Sequence, residues 1–260
     1  MTARELLARD DAGKGAPLVL IHGFPFDRAM WAPQRRALAR HARVIAPDLR
    51  GFGGSAALGT PPPTLDAHAD DVAALLDALG IERAVIGGLS MGGYIAFAFW
   101  RRHRARVSAL VLADTRAGAD SEEGKAKRRA MIASARASGA GAVADAMMPA
   151  VVGATTQAKR PEVVKEVRAM FERAPVPGII AALEAMMARP DSTPTLATID
   201  VPVQIIVGAE DTLTPPHESE SMHAAIRASR FAVIPKAGHA SNLERPAAFN
   251  HVLAEFLRSV

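Results

Sequence analysis

The run Val85-Ile86-Gly87-Gly88-Leu89 is apolar throughout and is cut off by Ser90, after which Met91-Gly92-Gly93 leads into a second apolar stretch from Tyr94 to Trp100. Few structures accommodate that order. A short, continuous apolar run reads as a parallel strand covered on both faces. The stretch behind it is apolar nearly all round and closes on Arg101-Arg102-His103-Arg104. It reads as a buried helix with cations at its carboxyl end, where the helix dipole favours them. Passing from strand to helix within so few residues strains the backbone and crowds one element against the other. Gly88, Gly92 and Gly93 remove the side chains that would collide. Ser90 is left on the turn, at the carboxyl end of a sheet and the amino end of a helix.

A serine in G-x-S-x-G spacing on such a turn is placed as a nucleophile. An ordinary N-cap would account for the serine but not for the glycines on both sides of it. The partners that a serine nucleophile needs follow in order. Val201–Val207 has a strand pattern and leads directly into Gly208-Ala209-Glu210-Asp211. Phe231–Ile234 is a further short strand, followed by Pro235-Lys236-Ala237-Gly238-His239. A hydroxyl is a poor nucleophile at neutral pH, so an imidazole must take its proton. The imidazole in turn needs a carboxylate to fix its tautomer and stabilise its charged form. Ser90, Asp211 and His239 are the expected set. Glu210 should point away from its neighbour on extended backbone, and Asp114, after the strand Val107–Leu112, is the reserve acid position.

Leu18–Ile21 is another buried strand and runs into His22-Gly23-Phe24-Pro25. Backbone N–H groups of Phe24 and of Met91, the residue after the nucleophile, are the expected oxyanion donors. His22 is read as shaping its loop, because His239 already supplies the base.

These motifs together resemble the α/β-hydrolase family, particularly its compact bacterial esterases and lactonases. The resemblance rests on His22-Gly23-Phe24-Pro25, Asp48-Leu-Arg-Gly51-Phe-Gly53-Gly-Ser55, Gly88-Leu-Ser90-Met-Gly92-Gly93, Gly208-Ala-Glu-Asp211 and Gly238-His239, and runs from about Pro17 to the end. It implies a mainly parallel, doubly wound α/β sheet, a Ser-His-Asp triad and acyl transfer. Met1–Lys14 leaves little room for opening strands, so the sheet is expected to start short.

Composition fits one α/β domain: 260 residues, 49% of them apolar, are enough to bury a full core. With no cysteine there is no disulfide, thiol chemistry or Cys-based metal site, and the eight histidines lack ligand spacing. No metal or cofactor is expected. No apolar run is long enough to span a bilayer, and acids near the amino end argue against a signal peptide, so a cytoplasmic protein is expected. A net charge of +4, with no basic strip interleaved with aromatics, gives no sign of nucleic-acid binding. The run Lys125-Ala-Lys-Arg-Arg129 is read as a solvated helix face. Arg50–Ser55 lacks phosphate-loop and dinucleotide spacings and is read as a flexible loop beside the site.

Residues 116–196 break the strand–helix alternation. They show helical segments punctuated by glycine and proline, and are expected to form a helical cap inserted between a sixth strand and the strand at Val203. The hydrolase core is then 1–115 with 197–260. Six of the ten methionines lie in this insertion, and thioethers adapt to varied apolar ligands. Met147, Met148 and Val151 are the expected pocket-lining residues, and the pocket is expected to be apolar. The expected function is hydrolysis of small to medium apolar carboxylic esters through an acyl-enzyme. Enol-lactonase, carbon–carbon bond hydrolase and a slow-turnover receptor of the same fold are the alternatives. Monomer and homodimer both stay open.

Overall fold

The apolar run at 84–89 becomes the central strand of a seven-stranded sheet, and all six of its residues are buried. The computed structural model describes residues 6–58 and 64–260. The strands are β1 (Arg9–Ala12), β2 (Pro17–Ile21), β3 (Arg43–Pro47), β4 (Ala84–Leu89), β5 (Val107–Ala113), β6 (Val203–Gly208) and β7 (Ser229–Ile234). Their spatial order is β1-β3-β2-β4-β5-β6-β7, and every pairing is parallel except that of β1 with β3. Among the described residues one four-residue strand, antiparallel to β3, precedes β2.

Alternation along each strand divides the core into two layers. Val19, Ile21, Ile86, Leu110 and Ile205 face α2 (Leu65–Ala78) and α3 (Met91–His103). Leu18, Leu20, Val85, Val111 and Ile206 face α1 (Ala32–Leu38) and the closing helix, whose range is given below. Helices on both faces explain why the inner strands are continuous apolar runs.

Between β5 and β6 the described chain contains helices and no strand: α4 (Glu122–Val151), α5 (Ala154–Lys159), α6 (Pro161–Glu172), α7 (Val176–Met187) and α8 (Thr193–Leu196). Among the described residues the segment therefore follows the fifth strand rather than a sixth, because one strand, β1, stands ahead of β2 there. α4 is broken at Gly139, whose φ of 77° lies outside helical space. α6 and α7 are anchored in different layers of the core, Phe171 edge-on to Phe26 at 4.9 Å and Ile179, Leu183 and Met186 in the α2–α3 layer. After β6 come α9 (Pro216–Ala225), then, beyond β7, the short α10 (Ser241–Glu244) and the closing α11 (Pro246–Leu257).

The loop after β3 is firmly held rather than flexible. Asp48 accepts the N–H groups of Arg28 and Gly54, both at 2.7 Å, and Ser55 accepts that of Ala8 at 2.9 Å. Phe52 and Ser55 are buried. Among the described residues no helix is long and apolar enough to cross a membrane, and no cluster of His, Asp and Glu is arranged to hold a metal ion.

Candidate active site

Ser90 stands between β4 and α3 with φ 56° and ψ −114°, a conformation that L-residues rarely adopt. The glycines around it are required by distance. A Cβ on Gly88 would lie 2.1 Å from the Gly92 carbonyl, and one on Gly92 would lie 2.2 Å from the Ile21 carbonyl oxygen. The Ser90 side chain bonds none of the amides in the first turn of α3, which removes the capping explanation. Its N–H donates to Ala113 O at 2.9 Å, and its own carbonyl accepts from Thr115 Oγ1 at 2.9 Å. The backbone is thus locked while the hydroxyl faces a cavity of about 540 Å³ that His239 also borders.

His239 and Asp211 meet from the ends of β7 and β6. Asp211 Oδ2 lies 2.8 Å from His239 Nδ1, and both side chains are almost wholly buried. The carboxylate is held from behind as well. Leu213 and Thr214 donate backbone N–H groups to Oδ1 at 2.8 and 2.9 Å, and Thr214 Oγ1 donates to Oδ2 at 2.7 Å. Burial pushes Asp211 up, but the His239 charge and these donors outweigh it and hold the carboxyl below its ordinary value. Burial likewise pushes His239 down, and the opposing charge and hydrogen bond of Asp211 raise it above the ordinary histidine value.

The other acids have separate duties. Asp114 Oδ1 accepts the Gly208 N–H at 2.8 Å and Oδ2 shares a hydrogen bond with Ser241 Oγ, so neither oxygen bonds His239. Burial, with the Asp211 charge second, pushes the Asp114 carboxyl well above the ordinary range. Glu210 turns outward and accepts from the backbone and hydroxyl of Thr155. His22 is fully buried. Its Nε2 accepts the Leu49 N–H at 2.9 Å, which leaves Nδ1 to donate to Gly23 O at 2.9 Å. Burial pushes its pKa down and favours this neutral form. The ring thus ties the loop after β2 to the loop after β3. Phe24 borders the cavity on that loop, and neither its N–H nor that of Met91 bonds another described residue.

The cavity wall departs from the expected apolar one. Met147 lines it, whereas Met148 and Val151 pack into the sheet layer that faces α1 and α11. Arg116, Asp120, Lys127 and Arg128 line it too. The basic run at 125–129 is therefore not simply a solvated face: the amino half of α4 runs along the cavity, and Arg128 turns inward to Asp120. Thr214 and this charged cluster were not singled out from the sequence. The spacing Asp211-x-x-Thr214, typical of a side-chain-closed turn, was the available signal for the first.

The segment from α4 to α5 is also bonded to the loops that carry His239 and Asp211. Buried Glu244 accepts N–H groups from Gly153 at 3.0 Å and Gly238 at 2.9 Å. Ala240 N–H donates to Val151 O at 3.1 Å. Gly153 and Gly238 touch backbone to backbone: a Cβ on Gly238 would lie 2.3 Å from Gly153 N.

With this sheet, this turn and this strand-end arrangement, the chain belongs to the family of the alpha/beta hydrolase fold, which matches residues 16–246. It is similar to 3-oxoadipate enol-lactonase 1 of Acinetobacter baylyi, with 30% identity covering 94% of this chain and 89% of the relative. Among solved structures it is similar to a thermophilic esterase from Thermogutta terrifontis determined with malate bound: TM-score 0.94 and 44% identity, over 97% of this chain and 93% of that one. The enol-lactonase from Burkholderia xenovorans LB400 superposes with a TM-score of 0.88 at 34% identity, over 97% and 96% of the two chains.

Proposed function

We propose that the chain is a serine ester hydrolase in which Ser90 is the nucleophile, His239 the base and Asp211 the residue that orients it. The observation that carries this reading is a strained serine with a free hydroxyl, facing the same cavity as a histidine whose Nδ1 is held by a buried carboxylate at 2.8 Å. With Nδ1 so engaged, Nε2 is the nitrogen that takes the Ser90 proton as Oγ attacks the ester carbonyl. The negative charge that forms on the carbonyl oxygen is received by the N–H groups of Phe24 and Met91, the second of which begins helix α3. His239 then protonates the departing alcohol and afterwards activates water, which releases the acid and frees Ser90. Residues 116–196 act as a cap over this site, with Met131, Met147 and Met186 among its contributions to the wall.

The similarity to two enol-lactonases favours one variant of this chemistry, in which the ester is cyclic and the leaving alcohol stays attached to the acyl group. Steady-state hydrolysis of p-nitrophenyl esters from acetate to decanoate, with Ser90→Ala alongside, tests the proposal. Turnover that disappears in the variant is expected. A variant that matched the parent would remove Ser90 from the mechanism.

A further inference from the structure

We infer that the cavity selects esters or lactones whose far end carries a carboxylate, with Arg116 as the residue that binds it. The inference rests on the ester-hydrolase reading above for the reacting end of the substrate. The far end is argued from charge and donors alone.

Three guanidinium groups converge on one carboxylate. Asp120, 1% exposed at its side chain, receives Arg116 Nη2 at 2.9 Å, Arg189 Nη1 at 2.8 Å, and Arg128 Nε. A carboxylate offers about four lone-pair sites, whereas each guanidinium offers five N–H donors. Positive charge and donors are therefore in surplus, even with the more distant Glu218 charge near Arg116 counted. The surplus is not shared evenly. Arg189 is buried, bonded to the carbonyls of Met186 and Gly118 at 2.9 Å each, and laid over the Tyr94 ring at 4.1 Å, so it braces the cluster. Arg128 directs Nε and Nη2 to Asp120 and Nη1 to Met186 Sδ.

Arg116 combines what neither of the others has. Unlike Arg189 it borders the cavity with Ser90 and His239, and unlike Arg128 it spends a single hydrogen bond on Asp120; its buried Nε, like that of Arg189, has no partner among the described residues. Buried guanidinium N–H groups are normally paired, and the planar fork matches a carboxylate edge. Asp120 holds the arginine in place, and the rest of its fork is left for the substrate. A single negative charge suits the site better than two, because Asp120 and Glu123 also line the wall. At the mouth, Lys127 and Glu123 are largely exposed and pair with each other at 2.7 Å, so they add little net charge.

The test compares kcat/KM for two esters of similar reach, p-nitrophenyl butyrate and mono-p-nitrophenyl glutarate, in the parent, Arg116→Gln and Arg116→Lys. The parent is expected to prefer the glutarate ester. Arg116→Gln should reduce the ratio of the two kcat/KM values about 10- to 100-fold, and Arg116→Lys should restore part of it. A parent that prefers the butyrate, or a ratio that Arg116→Gln leaves unmoved, overturns the inference. Circular dichroism of each variant checks folding. If neither ester is turned over, the ester-hydrolase reading fails first, and calorimetric titration of monomethyl glutarate, which carries one carboxylate, into Ser90→Ala decides the anion site separately. Binding that is lost in Ser90→Ala/Arg116→Gln supports it, and absence of binding to Ser90→Ala overturns it.

Discussion

Replacing Asp114 separates two roles that the sequence left open for that residue. In Asp114→Asn the amide oxygen can still accept the Gly208 N–H, and the amide nitrogen can donate to Ser241 Oγ, so both present bonds survive. Asn also tolerates the left-handed backbone at this position, where φ is 43°. Asp114→Ala loses all three advantages. Two buried polar groups go unpaired at about 1–3 kcal/mol each, and alanine in the left-handed region adds about 1–2 kcal/mol. The sum is about 3–8 kcal/mol. At roughly 2–4 °C per kcal/mol for a domain of this size, even its lower half lowers Tm by about 10 °C. Below the unfolded carboxyl value, where Asp114 is protonated in both states, Asp114→Asn should stay within about 1 kcal/mol of the parent. The comparison with pH sharpens the test. Asp114 has a folded pKa raised above its unfolded value, so its contribution is fully present below the unfolded value and is lost as pH rises through the folded one. Asn has no proton to lose. Urea unfolding across pH should therefore show the stability difference moving in favour of Asn as pH increases. In kinetics Asp114→Asn should keep kcat within about tenfold, while Asp211→Asn loses about 10⁴-fold, as expected when the imidazole loses its orienting carboxylate. An Asp114→Asn variant as inactive as Asp211→Asn, or a stability difference that does not change with pH, would refute the reasoning.

Two further outcomes are expected. The acidic limb of kcat/KM against pH should inflect above the ordinary histidine value of 6.5, because Asp211 raises His239 and the base must be neutral to accept a proton; a limb below that value would contradict it. Gly92→Ala should cost about 1–3 kcal/mol in urea unfolding and lower kcat as well, since its methyl group would press on the Ile21 carbonyl beside the Phe24 and Met91 amides; unchanged stability would mean that helix and strand have room to separate.

The elements that position Ser90 were legible because they are local and apolar. β4, β5 and α3 are continuous hydrophobic segments, and the elbow glycines announce a close approach that no ordinary cap needs. β1 was not legible: Arg-Asp-Asp-Ala has no apolar pattern, and it becomes a strand only because β3 offers it an edge. β7 begins two residues before the expected start for a similar reason, since Ser229 and Arg230 lie at a half-exposed edge. The charged wall of the cavity depends on contacts between remote parts of the chain. Arg189 and Asp120 are brought together only by folding, and nothing local to 125–129 indicates that Arg128 turns inward. The acid assignment lay between these extremes. Order along the chain named Asp211, but only the packed structure gives Asp114 and Glu210 other partners.

The junction where Glu244 and Glu210 grip residues 151–155 also sets where this chain can be divided. By position in the sequence these residues belong to the helical segment between β5 and β6, yet chemically they complete the strand-end loops, supplying bonds to the neighbours of His239 and Asp211. A chimera that imports another relative's segment whole would discard them and leave Glu244 buried against strangers. The interchangeable unit is accordingly smaller than the segment. The amino half of α4, up to the break at Gly139, carries the arginine-facing wall without sharing in that grip. If Arg116 selects the substrate as proposed, residues 116–139 are the part to exchange while residues 151–155 remain with the host.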